Sequence, residues 1–211
     1  MLIRNPDPKG RPQDTDDADE TMLCQALAEH NADACMRLLG RWKGIPDSAR
    51  GAALERLATE QDARLQQIIL NHLIPDLRPE EVEPLYDLLG SDSAGLRNQV
   101  IDALGQLRSG ATAETLEGAI RSRLHSPDPD LRILTLNLIA ALELPGLASD
   151  VEVILYEDDV LNVCMTALDT VLMLGNEECW PAIENLLVRF PDEPFVEFSV
   201  RRARHQLLGT D

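Results

Sequence analysis

The sequence predicts an all-α protein, and more specifically an α-solenoid of about five helical hairpins. Hydrophobic residues make up 44% of the 211-residue chain, whereas aromatic residues make up only 3%. A core built from Leu, Ala, Val and Ile favours helices, since strands are enriched in aromatic and β-branched residues. From Glu20 onward, apolar residues recur at helical spacing almost everywhere. The third observation is a repeat of 31 to 35 residues, which is typical of a solenoid.

The first 19 residues differ in composition from the rest of the chain. Three prolines and a glycine are followed by four aspartates within residues 14–19. Such a segment buries too little apolar surface to offset the entropy lost on ordering, so we expect a disordered leader over residues 1–19. It is either a solvated leader or a docking motif for a partner. We expect the solenoid over residues 20–211, with cap helices in residues 20–43 and repeats in residues 44–208.

Five segments align as the second helices of successive hairpins. They are residues 65–73, 96–107, 131–142, 163–174 and 196–207. Each follows another apolar helix across a short acidic or proline-containing turn. These first helices are expected at residues 48–59, 80–90, 113–125, 147–157 and 179–190. Helix-start signals such as Asp128 before Pro129, and the helix-ending Gly175, support this division.

Residues 151–156 (VEVILY) are the one segment with competing signals. Their β-branched residues alternate in part, which is compatible with a strand. Leu147, Val151, Ile154 and Leu155 also satisfy helical spacing. The register of the repeat favours the helix.

One anchor position in each second helix defines that register. The anchors are spaced by 31, 35, 32 and 33 residues, and they are Ile69, Val100, Thr135, Ala167 and Val200. Unrelated helices in a bundle would not keep such a spacing. A period of this length built from two helices predicts stacked hairpins.

Three stretches of the chain are similar to HEAT repeats. One reads Leu-Arg at 96–97, then Val100, Ala-Leu-Gly at 103–105 and Leu107; the second is DLRILTLNLIAAL at 130–142; the third runs from 167 to 183 through LGNEE. The chain therefore resembles the HEAT-repeat superfamily, particularly the short bacterial repeats related to those of phycobilin lyases. The resemblance covers roughly residues 45–208. It implies a right-handed superhelical stack of hairpins and says little about function.

The resemblance also implies a structural ladder of arginines. In HEAT repeats, an arginine near the start of the second helix reaches an acidic group in an inter-helix turn. Arg97 and Arg132 occupy this slot, and Asp92, Asp128 and Asp130 are the partners we expect. The slot holds other residues in the remaining hairpins, namely Gln66, Cys164 and Glu197.

Signals of catalysis or metal binding are scarce. None of the four histidines is followed by Glu, so the His-Glu steps of HEAT-repeat di-iron hydroxylases are missing. The phosphate-binding, dinucleotide-binding and nucleophile-elbow motifs are missing as well. Paired acidic residues fall in first turns and loops, where they complement the helix dipole. The sequence therefore predicts no catalytic residue, no metal site and no cofactor.

Charge and cysteine usage limit the classes of partner and the cellular location that we expect. Lys and Arg number 19 against 37 Asp and Glu, which gives a net charge of −18 and argues against nucleic acid or an anionic membrane as the partner. No apolar run is long enough to span a bilayer, and the N-terminus lacks a signal-peptide pattern. The four cysteines fall on helical faces without a C-x-x-C pair. We expect free thiols and a cytoplasmic location.

A candidate partner-binding stripe follows from the anchors. In a HEAT solenoid the second helices line the concave surface, so residues two positions from each anchor should face outward. The row after the anchors is polar: Asn71, Asp102, Asn137, Asp169 and Arg202. The row before the anchors turns apolar in its last three members: Gln67, Asn98, Ile133, Met165 and Phe198. This apolar step is either a groove for a partner or packing between repeats.

The function predicted from these features is non-catalytic. We expect an adaptor or scaffold that holds a partner protein, with a basic or amphipathic segment, on the concave groove. The alternative is a lyase-like or maturation/chaperone factor of the phycobilin-lyase HEAT type, which presents a cofactor or a client protein. A bound chromophore or metal in the purified protein would favour the alternative.

Overall fold

A computed structural model describes residues 13–78, 81–108 and 113–209, with side chains from Ala18 onward. Every regular element in these ranges is helical, which confirms the all-α fold class. The α-helices are α1 Gln13–Ala28, α2 Ala32–Leu39, α3 Asp47–Thr59, α4 Ala63–Leu73, α5 Val82–Asp87, α6 Ala94–Gly105, α7 Ala113–Leu124, α8 Pro129–Leu142, α9 Ala148–Glu157, α10 Leu161–Leu174, α11 Trp180–Arg189 and α12 Pro194–Leu208. Short 3₁₀ turns at Ile74–Asp76, Leu88–Gly90, Pro145–Leu147 and Glu177–Cys179 extend or introduce some of them.

All ten helices predicted for the five hairpins are present, and their ends lie within a few residues of the expected positions. The segment with competing signals lies inside α9, so helical spacing outweighs local strand propensity there. The start of α8 is set by Asp128, whose side chain accepts a hydrogen bond from the Asp130 amide, and by Pro129 in the first turn. Gly175 ends α10 at φ +67°, a conformation that side chains with a Cβ rarely adopt.

The described part of the expected leader is helical. Helix α1 begins at Gln13, so residues 13–19 are helical and the expected disorder does not hold for them. Asp19 accepts a hydrogen bond from Arg41 at 2.7 Å and thereby ties α1 to the segment after α2. Acidic residues stabilise the first turns of a helix through the helix dipole. The expectation of disorder was based on composition and did not include this effect. Residues 1–12 of the expected leader lie outside the described residues.

The chain divides into two compact units. Of the described residues, the first contains those up to Leu77 together with Ser93–Gln99, which include the first part of α6. In this unit α1 packs against α2 and α3, and α2 packs against α4. Leu23, Leu39, Leu57 and Leu65 are fully buried in its core.

The second unit contains Arg78–Asp92 and the residues from Val100 onward. Here α7 packs against α8, α9 against α10, and α11 against α12, so consecutive helices form hairpins. First helices also contact first helices, from α7 to α9 to α11, and second helices contact second helices, from α8 to α10 to α12. Each hairpin of this unit therefore packs against the next.

The anchor positions are buried in both units. Ile69, Val100, Thr135 and Ala167 are 0% exposed, and Val200 is 4% exposed. The polar anchor Thr135 donates its hydroxyl proton to the Leu131 carbonyl at 2.6 Å, which removes the penalty of burying it. Each of the five aligned second helices therefore buries its own anchor residue.

Candidate partner-binding surface

The polar row of the second helices is open to solvent. Each residue two positions after an anchor is exposed, and these are Asn71, Asp102, Asn137, Asp169 and Arg202. Because a side chain two positions along a helix points well away from the first, a buried anchor and an exposed second residue define one register. The exposure agrees with the expected orientation of these helices, and partner binding by them remains a prediction.

In the first unit, the predicted site residues lie beside a small amide network. Gln99 on α6 donates from Nε2 to the Asn71 side-chain oxygen at 2.6 Å and to the Gln67 backbone carbonyl at 3.1 Å. Asn98, also on α6, is exposed next to this network. The hydrogen bond from Gln99 uses the Asn71 side-chain oxygen as its acceptor, and an amide of this kind also carries a nitrogen that can donate.

In the second unit, the predicted residues Asp169 and Arg202 pair across α10 and α12. The Arg202 Nη2 lies 2.9 Å from the Asp169 Oδ1, and both side chains are more than half exposed. An exposed pair of this kind stabilises the fold by at most about 1 kcal/mol. Its two charges therefore remain available to a partner.

The apolar row does not form a continuous open groove. Ile133 is half-buried, Met165 is 9% exposed and Phe198 is 61% exposed. The Met165 side chain is covered inside the second unit, which leaves little of its surface for a partner. Of the three apolar contacts predicted, only Phe198 is largely accessible.

Phe195 belongs to the accessible surface and was not among the predicted residues. It lies one turn before Phe198 on α12 and is also 61% exposed. Residues three apart share a face of a helix, so the two rings lie side by side. The sequence carried this signal as an i, i+3 aromatic pair in a chain with only 3% aromatic residues.

The arginine ladder uses a different acidic partner for Arg132. Instead of Asp128 or Asp130, Arg132 pairs with Asp158 through two contacts of 2.6 and 3.0 Å. Asp158 lies in the turn between α9 and α10, one hairpin further along. The side chains are 12% and 6% exposed, so this pair is largely removed from solvent.

The three aspartates that were expected to pair with the arginines are not the partners of Arg132. Asp128 caps α8, and Asp92 and Asp130 are exposed. Arg97 is half-buried on α6. The Arg132 side chain is long enough to reach the turn of the next hairpin. The alignment of the repeats could not show whether it pairs there or in the turn of its own hairpin.

Three of the five slot residues share a second interaction, which the alignment of the repeats did not predict. Arg132 donates to the Ser126 carbonyl at 2.8 Å, Gln66 to the Glu60 carbonyl at 3.0 Å, and Cys164 to the Asp158 carbonyl at 3.0 Å. In each case the acceptor lies six residues upstream, in the turn that joins the two helices of the hairpin. In these three hairpins the slot holds a hydrogen-bond donor, which need not be an arginine. Glu197 departs from this rule, because an ionised carboxylate only accepts.

The thiols have the character of core residues. All four cysteines are free, and three of them, Cys35, Cys164 and Cys179, are buried. Burial raises the pKa of the Cys35 and Cys164 thiols and raises the pKa of Cys179 to about 11. A thiol with a raised pKa is a poor nucleophile and a poor metal ligand. Within the described ranges, His, Cys, Asp and Glu form no group of three or more that could hold a metal ion.

The basic cluster at the end of α7 is largely neutralised. Arg121 pairs with Asp150 at 2.9 Å, and Arg123 pairs with Glu83 through both guanidinium nitrogens while lying 4.1 Å from the centre of the Tyr86 ring. The hydrogen bond from Arg123 lowers the pKa of Glu83. These arginines are structural crosslinks between first helices of the second unit.

Comparisons with known proteins leave the family open. No family model matches the sequence, and no curated protein matches it. A solved structure of an engineered protein is similar at 16% identity and a TM-score of 0.40, over 91% of this chain and 97% of the other. In the part of the chain that the structure describes, no helix has both the length and the apolar content needed to cross a membrane.

Proposed function

We propose that this chain is a non-catalytic adaptor whose hairpins stack as a HEAT-like solenoid and whose second helices bind a partner protein. The contacts of successive first helices and successive second helices in the second unit support the stacked arrangement. The buried anchors and the exposed polar row support the orientation of the second helices. Within the second unit, the binding surface is the α10–α12 stripe, defined by Asp169, Phe195, Phe198 and Arg202.

The exposure of Phe195 and Phe198 carries the proposal. A phenylalanine that is 61% exposed leaves much of its apolar surface in water, and two on one face form a patch. Aromatic anchors surrounded by polar groups are typical of the centre of a protein interface. Burial of both rings by a partner would return that surface to an apolar environment.

The polar members of the stripe define the chemistry of the partner. Asp169 and Arg202 offer an acceptor and a donor beside the rings, and their mutual pair can exchange for pairs with the partner. The net charge of −18 accelerates the approach of a positively charged segment. The fitting partner is an amphipathic protein segment with apolar residues for the rings and basic residues at its edge.

Site-specific photocrosslinking tests the proposal. A benzoylphenylalanine in place of Phe198 should crosslink one defined protein from the native host, whereas the same residue in place of Val188 should not. Val188 is 76% exposed on α11 and is the matched control. The purified crosslinked partner should bind the wild type, with at least tenfold weaker binding to Phe198→Ser at an unchanged melting temperature.

The opposite pattern would contradict the proposal. Equal crosslinking at both positions would indicate non-specific contact, and undiminished binding by Phe198→Ser would place the interface elsewhere. A salt dependence of affinity is expected as well, because the partner segment is basic.

A further inference from the structure

The second unit carries an open cleft on a face distinct from the α10–α12 stripe. The cleft lies between α11 and α12 and has a volume of about 190 Å³. Its lining is Trp180, Glu184 and Leu187 from α11, and Glu197, Val200, Arg201 and Arg204 from α12. These are residues at helical spacing on each helix, so both helices present one continuous face here. We call it the α11–α12 face.

The equivalent face of the preceding hairpin is covered. Helix α9 begins at Ala148 after a 3₁₀ turn, as α11 begins at Trp180, and Leu155 on α9 corresponds to Leu187 on α11. Leu155 is 0% exposed, whereas Leu187 is 36% exposed. On α10, Cys164 corresponds to Glu197 and lies 3.7 Å from the Arg189 side chain of α11. In α9 and α10 this face therefore packs on the next hairpin, whereas no described residue covers it in α11 and α12.

The charges of the α11–α12 face are balanced, unlike those of the whole chain. The cleft is lined by two acidic residues, Glu184 and Glu197, and by two basic residues, Arg201 and Arg204. The chain as a whole carries a net charge of −18. Two copies would repel each other over most of their surfaces, and this face is a place where they can approach without a net like-charge contact.

The order of the charges along α12 is self-complementary. Glu197 precedes Val200 by three residues, and Arg204 follows Arg201 by three. In an antiparallel pairing of two α12 helices about a two-fold axis between Val200 and Arg201, Glu197 of each copy faces Arg204 of the other. An isologous interface requires this reciprocity, in which residue i meets j and j meets i.

The charged groups of the face are accessible for such an exchange. Arg201 and Glu197 form a pair within α12 at 2.7 Å, but both side chains are about two-thirds exposed or more. Arg204 lies 5.9 Å from the centre of the Trp180 ring, so its guanidinium is held over the cleft. Leu187, which is 36% exposed, supplies apolar surface to the cleft, and the buried Val200 lies at its floor.

We infer that the α11–α12 face is the interface of a two-fold homodimer, with a second copy of this chain as its occupant. The Glu197 and Arg204 pairs link the two α12 helices at both ends of the contact. The α10–α12 stripe lies on another side of α12 and stays open in the dimer. A dimer would therefore present two partner-binding stripes.

Analytical ultracentrifugation of the full chain over a concentration series tests the inference. The wild type should pass from monomer to dimer, with no larger species. Glu197→Arg and Arg204→Glu should each weaken dimerisation at least tenfold, because each places like charges opposite each other. A control variant, Glu114→Arg, makes the same charge change as Glu197→Arg at an exposed site on α7 and should dimerise at least as well as the wild type.

Mixing the two single variants provides the sharper result. In the mixed pair, both charges of the Glu197→Arg copy are positive and both charges of the Arg204→Glu copy are negative, so the mixture should form a heterodimer with near wild-type affinity. The double variant Glu197→Arg/Arg204→Glu should dimerise again on its own. A wild type that stays monomeric, single variants that dimerise normally, a mixture without rescue, or growth beyond dimers would each overturn the inference. Melting curves confirm that each variant is folded, and the mixture remains decisive even if one variant is less stable.

Discussion

The hairpins α9–α10 and α11–α12 have the same architecture, but equivalent residues in them differ in their exposure to solvent. Met165 on α10 is 9% exposed and its equivalent on α12, Phe198, is 61% exposed. Leu168 and Val171 on α10 are 0% exposed, whereas the equivalent Arg201 and Arg204 are exposed. The first hairpin is packed on both sides by described helices, and the second is packed on one side. Equivalent positions in the repeat are therefore helical in both hairpins. Whether a side chain at such a position is buried or exposed depends on how many neighbouring hairpins pack against it.

A large effect is expected from the ion pair that joins α8 to the turn between α9 and α10, and a small one from the pair that joins α10 to α12. Arg132→Met removes the partner of Asp158, whose side chain is only 6% exposed, and leaves a buried carboxylate without its charge partner. We expect this variant to lower the free energy of unfolding by about 3 kcal/mol. Arg202→Met, which removes the exposed pair with Asp169, should lower it by less than about 1 kcal/mol. Urea denaturation of both variants measures the difference, and equal values would contradict the assignment of Asp158 as a buried partner.

A pH effect is expected from Tyr86, which is buried in the second unit at 0% exposure. Burial raises the pKa of Tyr86 from 10.0 to about 12. The native state therefore keeps the proton that the unfolded state begins to lose near pH 10. Stability should be unaffected below pH 10 and should fall by about 2–3 kcal/mol as the pH rises from 10 to 12.

The control for this effect is Tyr86→Phe, which removes the titrating group. Urea denaturation at a series of pH values should show a shallower alkaline loss in this variant than in the wild type. Identical slopes would show that another group causes the loss.

The donor rule of the slot predicts effects of opposite sign in two hairpins. Gln66 is 8% exposed and donates to the Glu60 and Leu57 carbonyls. Gln66→Glu removes both donors and buries a carboxylate, so it should lower stability by about 1–3 kcal/mol. Thermal melts measure this loss, and an unchanged melting temperature would contradict the rule.

The smallest effect is expected from the reverse change on α12. Glu197→Gln introduces a donor six residues after Pro191, the position that carries the acceptor in three of the other hairpins. It should raise stability by about 0.5–1 kcal/mol in monomeric protein, less the small contribution of the exposed pair with Arg201. Glu193→Gln, at an exposed residue outside the slot, is the matched control and should have almost no effect.

The all-α class and the positions of the helices could be predicted because helical spacing, caps and the repeat indicate the same helices. The same agreement decided that residues 151–156 are helical. The partner of Arg132 could not be predicted, because a flexible side chain can reach its own turn or the next, and both turns contain aspartate. The accessibility of Met165 and Phe198 could not be predicted either, since the two residues share a repeat position and differ only in the neighbours that cover them. The start of α1 at Gln13 could not be predicted, because proline and aspartate are common both in disordered segments and in the first turns of helices.

A matched pair of substitutions tests most directly the claim that α12 presents at its surface what α10 buries. Met165→Asp and Phe198→Asp place the same carboxylate at equivalent positions of the two helices, and urea denaturation gives the free energy of unfolding of each. We expect a loss of about 3 kcal/mol or more for Met165→Asp, because an unpaired charge is buried, and a change below about 0.5 kcal/mol for Phe198→Asp. Equal losses, or a larger loss for Phe198→Asp, would show that Phe198 is a core residue and would contradict a binding surface on α12.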